Sequence, residues 1–191
     1  MIGSVRGPVT HVGQDSALVE VAGIGYRIVA GPALLAKLRI GREASVFTHH
    51  LVREDQEALF GFATMEELTF FELLMTVSQV GPRLALAITA AHAVTKLQLA
   101  IVTDDPDTFT GVSGVGRKTA QRIILELKEK VHAAGMAAGG ASSTDSDVVA
   151  ALESLGYSAS EARRAASAVA GTAGELDVRI KAALQELARS R

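Results

Sequence analysis

The chain has 191 residues, with 18 Gly, four Pro, no Cys and a formal charge of −2. That length suits one large or two to three small domains. The charge excludes a generally basic coat, so affinity for nucleic acid must come from a local patch, and the missing thiols exclude disulfides, iron–sulfur clusters and thiolate zinc sites.

Residues 1–63 alternate and turn like a small β-domain. Strands are predicted at Ser4–Thr10, Ala17–Val21, Gly25–Ala30, Ala44–Val52 and Ala58–Phe62, with Gly23-Ile24-Gly25 as a hairpin turn. Pro32–Leu38 reads as a helical insertion, and five short strands with such an insertion suit an OB-type barrel. Phe60 and Phe62 share one strand face, which favours core packing over base stacking. His49 and His50 are neighbours in a strand and point to opposite faces, so a shared metal is not expected. Between the last two strands, Arg53-Glu54-Asp55-Gln56-Glu57 forms an acidic turn. It is either a solvated tip or a group placed to repel phosphate, since like charges at a low-dielectric interface cost several-fold more than in water.

Residues 64–132 read as helical, with Thr64-x-x-Glu67 and Thr95-x-x-Gln98 as capping boxes. Two helix–turn–helix units fall within this span. The first turns at Ser78-Gln79-Val80-Gly81-Pro82-Arg83 before a helix from Leu84. The second turns at Ser113-Gly114-Val115-Gly116 before Arg117-Lys118-Thr119-Ala120, and Ile123, Ile124, Leu127 and Val131 follow on one helix face. A Gly-x-Gly turn that opens a helix suits phosphate: glycine admits close approach, first-turn N–H groups lack internal partners, and the helix dipole favours anions. From Ser113 to His132 there are five Lys/Arg against two Glu, which supplies the local basic patch. An ATP-binding P-loop is excluded, because Arg117 separates Gly116 from Lys118 and no strand leads into the loop.

Residues 133–144 lose charge and apolar periodicity together and read as a flexible linker. Residues 145–191 regain helical periodicity through Val148, Val149, Leu152 and Leu155, with a turn at Gly156-Tyr157 and capping boxes at Ser158-x-x-Glu161 and Thr172-x-x-Glu175. A small three-helix bundle on a tether suits docking to a partner, and folding back on the main body is the alternative. No signal pattern leads the chain and no apolar run reaches about eighteen residues. A soluble, cytoplasmic protein with no membrane association is therefore predicted.

Two other functions have footholds here. Asp104, Asp105 and Asp107 could be the carboxylates of a hairpin-containing nuclease or glycosylase, although Asp105-Pro106 reads as a loop before a helix. A general single-strand-binding OB protein would need more aromatics than the chain offers.

Taken together, the motifs resemble the RuvA family, the Holliday-junction-binding subunits of bacterial branch-migration complexes. The likeness runs through the opening Met1-Ile2-Gly3, the hairpin ending at Tyr26, Val46-Phe47-Thr48-His49, Val52-Arg53-Glu54-Asp55, Leu59-Phe60-Gly61-Phe62, both glycine turns and Leu152-x-x-Leu155-Gly156-Tyr157. The resemblance implies a multidomain α+β protein. Its parts are an N-terminal OB-fold barrel (1–63), a central all-α tandem helix-hairpin-helix domain (64–132), a linker (133–144) and a C-terminal three-helix UBA-like bundle (145–191). It further implies a homotetramer, single or stacked as an octamer, on four-way junction DNA, with no catalytic residue, metal or cofactor. Gly81, Arg83, Gly114, Gly116, Arg117, Lys118 and Thr119 would hold phosphates, and Glu54 and Asp55 would form an acidic pin at the crossover. The C-terminal bundle would dock RuvB, a hexameric ATPase, with Leu152, Leu155 and Tyr157 either contacting it or serving as core. The RuvC resolvase is implied as a further partner. Gln79 departs from the pattern, standing where the family usually has the first hairpin's leading glycine.

Overall fold

The computed structural model describes residues 1–138, 145–170, 172 and 174–189. Five strands, β1 (Ser4–Val12), β2 (Ser16–Val21), β3 (Ile24–Ala30), β4 (Glu43–Val52) and β5 (Glu57–Phe62), close a barrel in the order β1-β2-β3-β5-β4. The β3–β5 pair is parallel and the others are antiparallel. Alternation places Val5, Val9, Val19, Ile28, Val46 and Leu59 inside. The β2–β3 hairpin turns at Ala22-Gly23, not at the expected Gly23-Ile24-Gly25. Both turn residues have positive φ (51° and 82°), as a two-residue I′ turn requires, and Ile24 already pairs with Val21. Helix α1 (Pro32–Leu35) is shorter than the expected insertion.

The helices that follow are α2 (Met65–Met75), α3 (Pro82–Ala91), α4 (Val94–Val102), α5 (Asp107–Thr110) and α6 (Arg117–Ala138). Thr64 and Glu67 form the expected reciprocal capping box of α2. The second expected box does not form. Ala93, not Thr95, is the N-cap of α4, and Gln98 is fully buried with its side chain engaged elsewhere.

Phe60 and Phe62 do pack, but outward from the barrel. They meet Phe71 of α2 at ring-centroid distances of 5.5 and 4.8 Å, and His49 adds a fourth ring at 5.3 Å. Such pairs contribute about 0.5–1.5 kcal/mol each beyond buried area. His49 Nδ1 also stands 3.0 Å from Glu72 Oε1 on α2, whereas His50 Nε2 lies 2.7 Å from Glu57 Oε1 within the barrel. The two histidines therefore diverge as strand neighbours must.

The last helices are α7 (Asp145–Ser154), α8 (Ala159–Ala168) and α9 (Leu176–Arg189). Ser158 and Glu161 form their capping box. Thr172 and Glu175 do not, because α9 begins at Leu176 and the Glu175 carbonyl accepts its first amides, from Val178 and Arg179. Helix α6 continues to Ala138, so the first half of the expected linker is helical; residues 139–144 lie outside the described ones.

The three-helix module lies against the helical domain in one continuous apolar core that runs from Phe60 through Leu127 to Leu187. Gln98 Nε2 donates to the Leu155 carbonyl at 2.7 Å, and the Tyr157 hydroxyl donates to Gln98 Oε1 at 2.6 Å. Lys128 of α6 pairs with Asp104 at 2.8 Å and approaches Asp177 of α9 at 3.9 Å. Leu152, Leu155 and Tyr157 are consequently at most 4% exposed. Of the two roles left open for them, this arrangement gives them core packing: their apolar area is satisfied within the chain and offers no outer surface to a partner.

Candidate nucleic-acid interface

The two hairpin turns match position by position. Val80 and Val115 are the buried centres of the turns, and their amides donate to the carbonyls of Val77 and Val112 at 3.1 and 3.0 Å. Gly81 and Gly116 then accept from the amides of Ala85 and Ala120 at 2.9 Å each, which fixes both glycines as the residues that open α3 and α6. Helix geometry leaves the next three N–H groups without internal partners, except at Pro82, which has none to offer.

The glycines of these turns differ in what their backbone demands. Gly114 has φ of 88°, the left-handed region that other residues enter at a cost of about 1–2 kcal/mol. Gly81 and Gly116 are under no such demand, and nothing stands within 4 Å of where a Cβ would sit. Neither internal packing nor dihedral strain asks for glycine at these two positions, and the vacant space faces outward. That is the arrangement needed for close approach by an external backbone or phosphate.

Around the turns the expected cations are in place. Arg83 is exposed in the first turn of α3, and Arg117 and Lys118 are exposed in the first turn of α6, with Thr119 half-buried behind them. All seven expected phosphate-binding residues thus fall on the two turns or the first helical turns they open. Glu54 and Asp55 stand apart on the exposed β4–β5 turn, which is closed by the Arg53 amide donating to the Gln56 carbonyl at 2.8 Å.

Gln79 takes the same left-handed conformation as Gly114, with φ of 64°, so the first turn keeps its shape despite the substitution. Its side-chain oxygen accepts from the Arg122 guanidinium of α6. Arg122 belongs to the basic patch counted from the sequence but carries no motif of its own. Its signal is spacing: Arg122, Glu126 and Lys130 recur every four residues on one side of α6.

The aspartates considered as nuclease carboxylates are bound up in local structure. Asp105 accepts the Asp107 amide and the Thr108 hydroxyl at 3.0 and 2.7 Å, opening α5. The Thr108 hydroxyl holds its carboxyl below the usual range, assisted by neighbouring backbone amides. Asp104 pairs with Lys128. Among the described residues no His, Cys, Asp and Glu group could hold a metal ion, and no single helix is long and apolar enough to cross a membrane.

A closed OB barrel, paired helix-hairpin-helix turns with cationic helix N-termini and a terminal three-helix module define a class of multidomain protein. Family models match each part: the RuvA N-terminal domain over residues 1–61, the SAM-like helix-hairpin-helix tandem over 71–129 and the RuvA C-terminal domain over 145–188. The chain is 48% identical to the Holliday junction branch migration complex subunit RuvA of Acidothermus cellulolyticus, across 93% of this chain and 89% of that one. It is 43% identical to the protein of the same description from Thermobifida fusca, over the full length of both. A third, from Acetivibrio thermocellus, is 41% identical over 99% of this chain and all of the relative. The chain belongs to the RuvA family.

Proposed function

We propose that this protein binds four-way DNA junctions by structure rather than sequence and brings the RuvB ATPase to them for branch migration. The reading rests on one observation above others: two hairpin turns of matched geometry present open glycines and helix N-termini beside Arg83, Arg117 and Lys118. Such turns grip phosphates and carry no base-specific reach. Gly81, Arg83, Gly114, Gly116, Arg117, Lys118 and Thr119 hold the backbone of one duplex arm. Four copies supply four arms.

The barrel, residues 1–63, is the centre of the tetramer. Ile24, Ile40 and Val52 are more than half exposed on it, apolar area that self-association removes from water. Glu54 and Asp55 then lie near the crossover, where their charge keeps phosphates from closing over it and steers separating strands. Residues 64–132 grip DNA, and residues 145–191 engage the motor. The chain itself is non-catalytic and cytoplasmic, holds no cofactor, and leaves ATP hydrolysis to RuvB. One tetramer leaves a junction face open to the RuvC resolvase, while two would enclose it.

The test is competition binding of the purified protein to a labelled four-way junction against linear duplex and single strand of equal length. Strong junction preference without cleavage is expected. Equal binding to all three would reduce the chain to a generic backbone binder, and preference for single strands would favour the OB-type reading instead.

A further inference from the structure

The side of α6 that faces the first helix-hairpin-helix turn is polar from Arg122 to Lys130. The Arg122 guanidinium donates to Gln79 Oε1, the Ser78 amide donates to Glu126 Oε2 at 3.1 Å, and the Lys130 ammonium donates to the hydroxyl and carbonyl of Thr76. One helix therefore opens at the second turn and holds the first turn with three side chains spaced one helical turn apart.

Gln79 is the strained member of this set. Its φ of 64° is one that glycine adopts freely, as Gly114 does at the matching position. Its amide reaches across to α6, and the bond it makes there has a particular electrostatic quality. A neutral oxygen fixes a guanidinium without cancelling its charge, and leaves the remaining N–H groups of Arg122 for other acceptors. A carboxylate would hold the cation equally well and neutralise it.

We infer that Gln79 is a positioning residue, whose side chain holds the Arg122 cation at the seam between the two hairpin turns so that both grip one phosphate backbone as a single unit. The inference rests on the backbone-binding reading given above. It means that the first turn, which lacks its leading glycine, contributes through a held cation as well as through its amides.

Full-length protein is titrated onto a labelled four-way junction over a series of salt concentrations, as native chain and as Gln79→Gly, Gln79→Glu, Arg122→Ala and the Gln79→Gly/Arg122→Ala double variant. Gln79→Gly is expected to melt at a higher temperature, because the left-handed strain is relieved, yet to bind the junction ~5-fold more weakly. A purely structural residue would move stability and affinity in the same direction. The loss is expected to vanish in the Arg122→Ala background, since the two side chains then have nothing left to couple. Gln79→Glu is expected to lower the slope of log affinity against log salt by about one, the signature of one cation cancelled. Native-like binding by Gln79→Gly, or an equal loss with and without Arg122, overturns the inference. Arg117→Ala with Lys118→Ala separates the two levels. If that pair is weakened while the Gln79 variants bind like the native chain, only the inference fails; if that pair also binds normally, the backbone-grip reading falls with it.

Discussion

Tyr157 of the C-terminal module donates its hydroxyl to Gln98 of the helical domain, and both side chains are buried at the seam between the two. Gln98 completes the link by donating to the Leu155 carbonyl. Burial pushes the Tyr157 hydroxyl far above the usual tyrosine range, and the nearby charge of Glu161 adds to the effect. The tyrosine is therefore a protonated donor near neutral pH.

Replacing Tyr157 by Phe removes the donor and strands the Gln98 oxygen in an apolar seam. A buried acceptor left unmet costs about 1–3 kcal/mol. The expected outcome is a lower melting temperature with faster amide exchange in α7, α8 and α9, while β1–β5 exchange as before. Unaltered exchange in the three helices would show that the hydrogen bond does not hold the module.

Arg117→Ala with Lys118→Ala is expected to weaken junction binding and to lower its salt slope by up to about two, one released counterion for each lost phosphate contact. Melting temperature should hardly change, because both side chains are exposed. An unchanged slope would remove them from the interface.

For the acidic turn, Glu54→Gln with Asp55→Asn should bind junctions at least as tightly as the native chain, since two repulsive charges are gone. Migration driven by RuvB should become abnormal. Marked loss of affinity would contradict repulsion as the role of these residues.

The cap of α8 gives a pH-dependent contribution. The Ser158 hydroxyl and amide both donate to Glu161 and hold its carboxyl below the usual glutamate range. A carboxylate with a depressed folded pKa contributes stability above its unfolded pKa and loses it as pH falls through the folded one. Glu161→Gln should therefore lower the melting temperature near neutrality, with the gap to the native chain closing below about pH 4. A gap that persists in acid would assign the effect to packing.

Periodicity and turn chemistry made most of the fold legible. Alternation located all five strands, and the valine–glycine turns located both hairpins, because each depends on residues close in sequence. The failures came where distant contacts decide. Thr95 and Gln98 carry the spacing of a capping box, but burial against Leu155 and Tyr157 claims Gln98 for another hydrogen bond. Leu152, Leu155 and Tyr157 look the same in sequence whether they face a partner or another part of their own chain. At the candidate site, the glycines and cations could be read directly, whereas the tie between Gln79 and Arg122 joins residues 43 apart and has no local trace.

The aromatic seam also has a mechanical meaning. His49 lies on β4 and Phe60 on β5, the two arms whose far end is the turn bearing Glu54 and Asp55, and both rings are clamped against Phe71 of α2. The hairpin is thus anchored at its base in the helical domain, with the acidic turn at its free end. On the proposed reading, a load that a duplex places on the glycine turns reaches the acidic tip through this packed seam, so that grip and tip respond together.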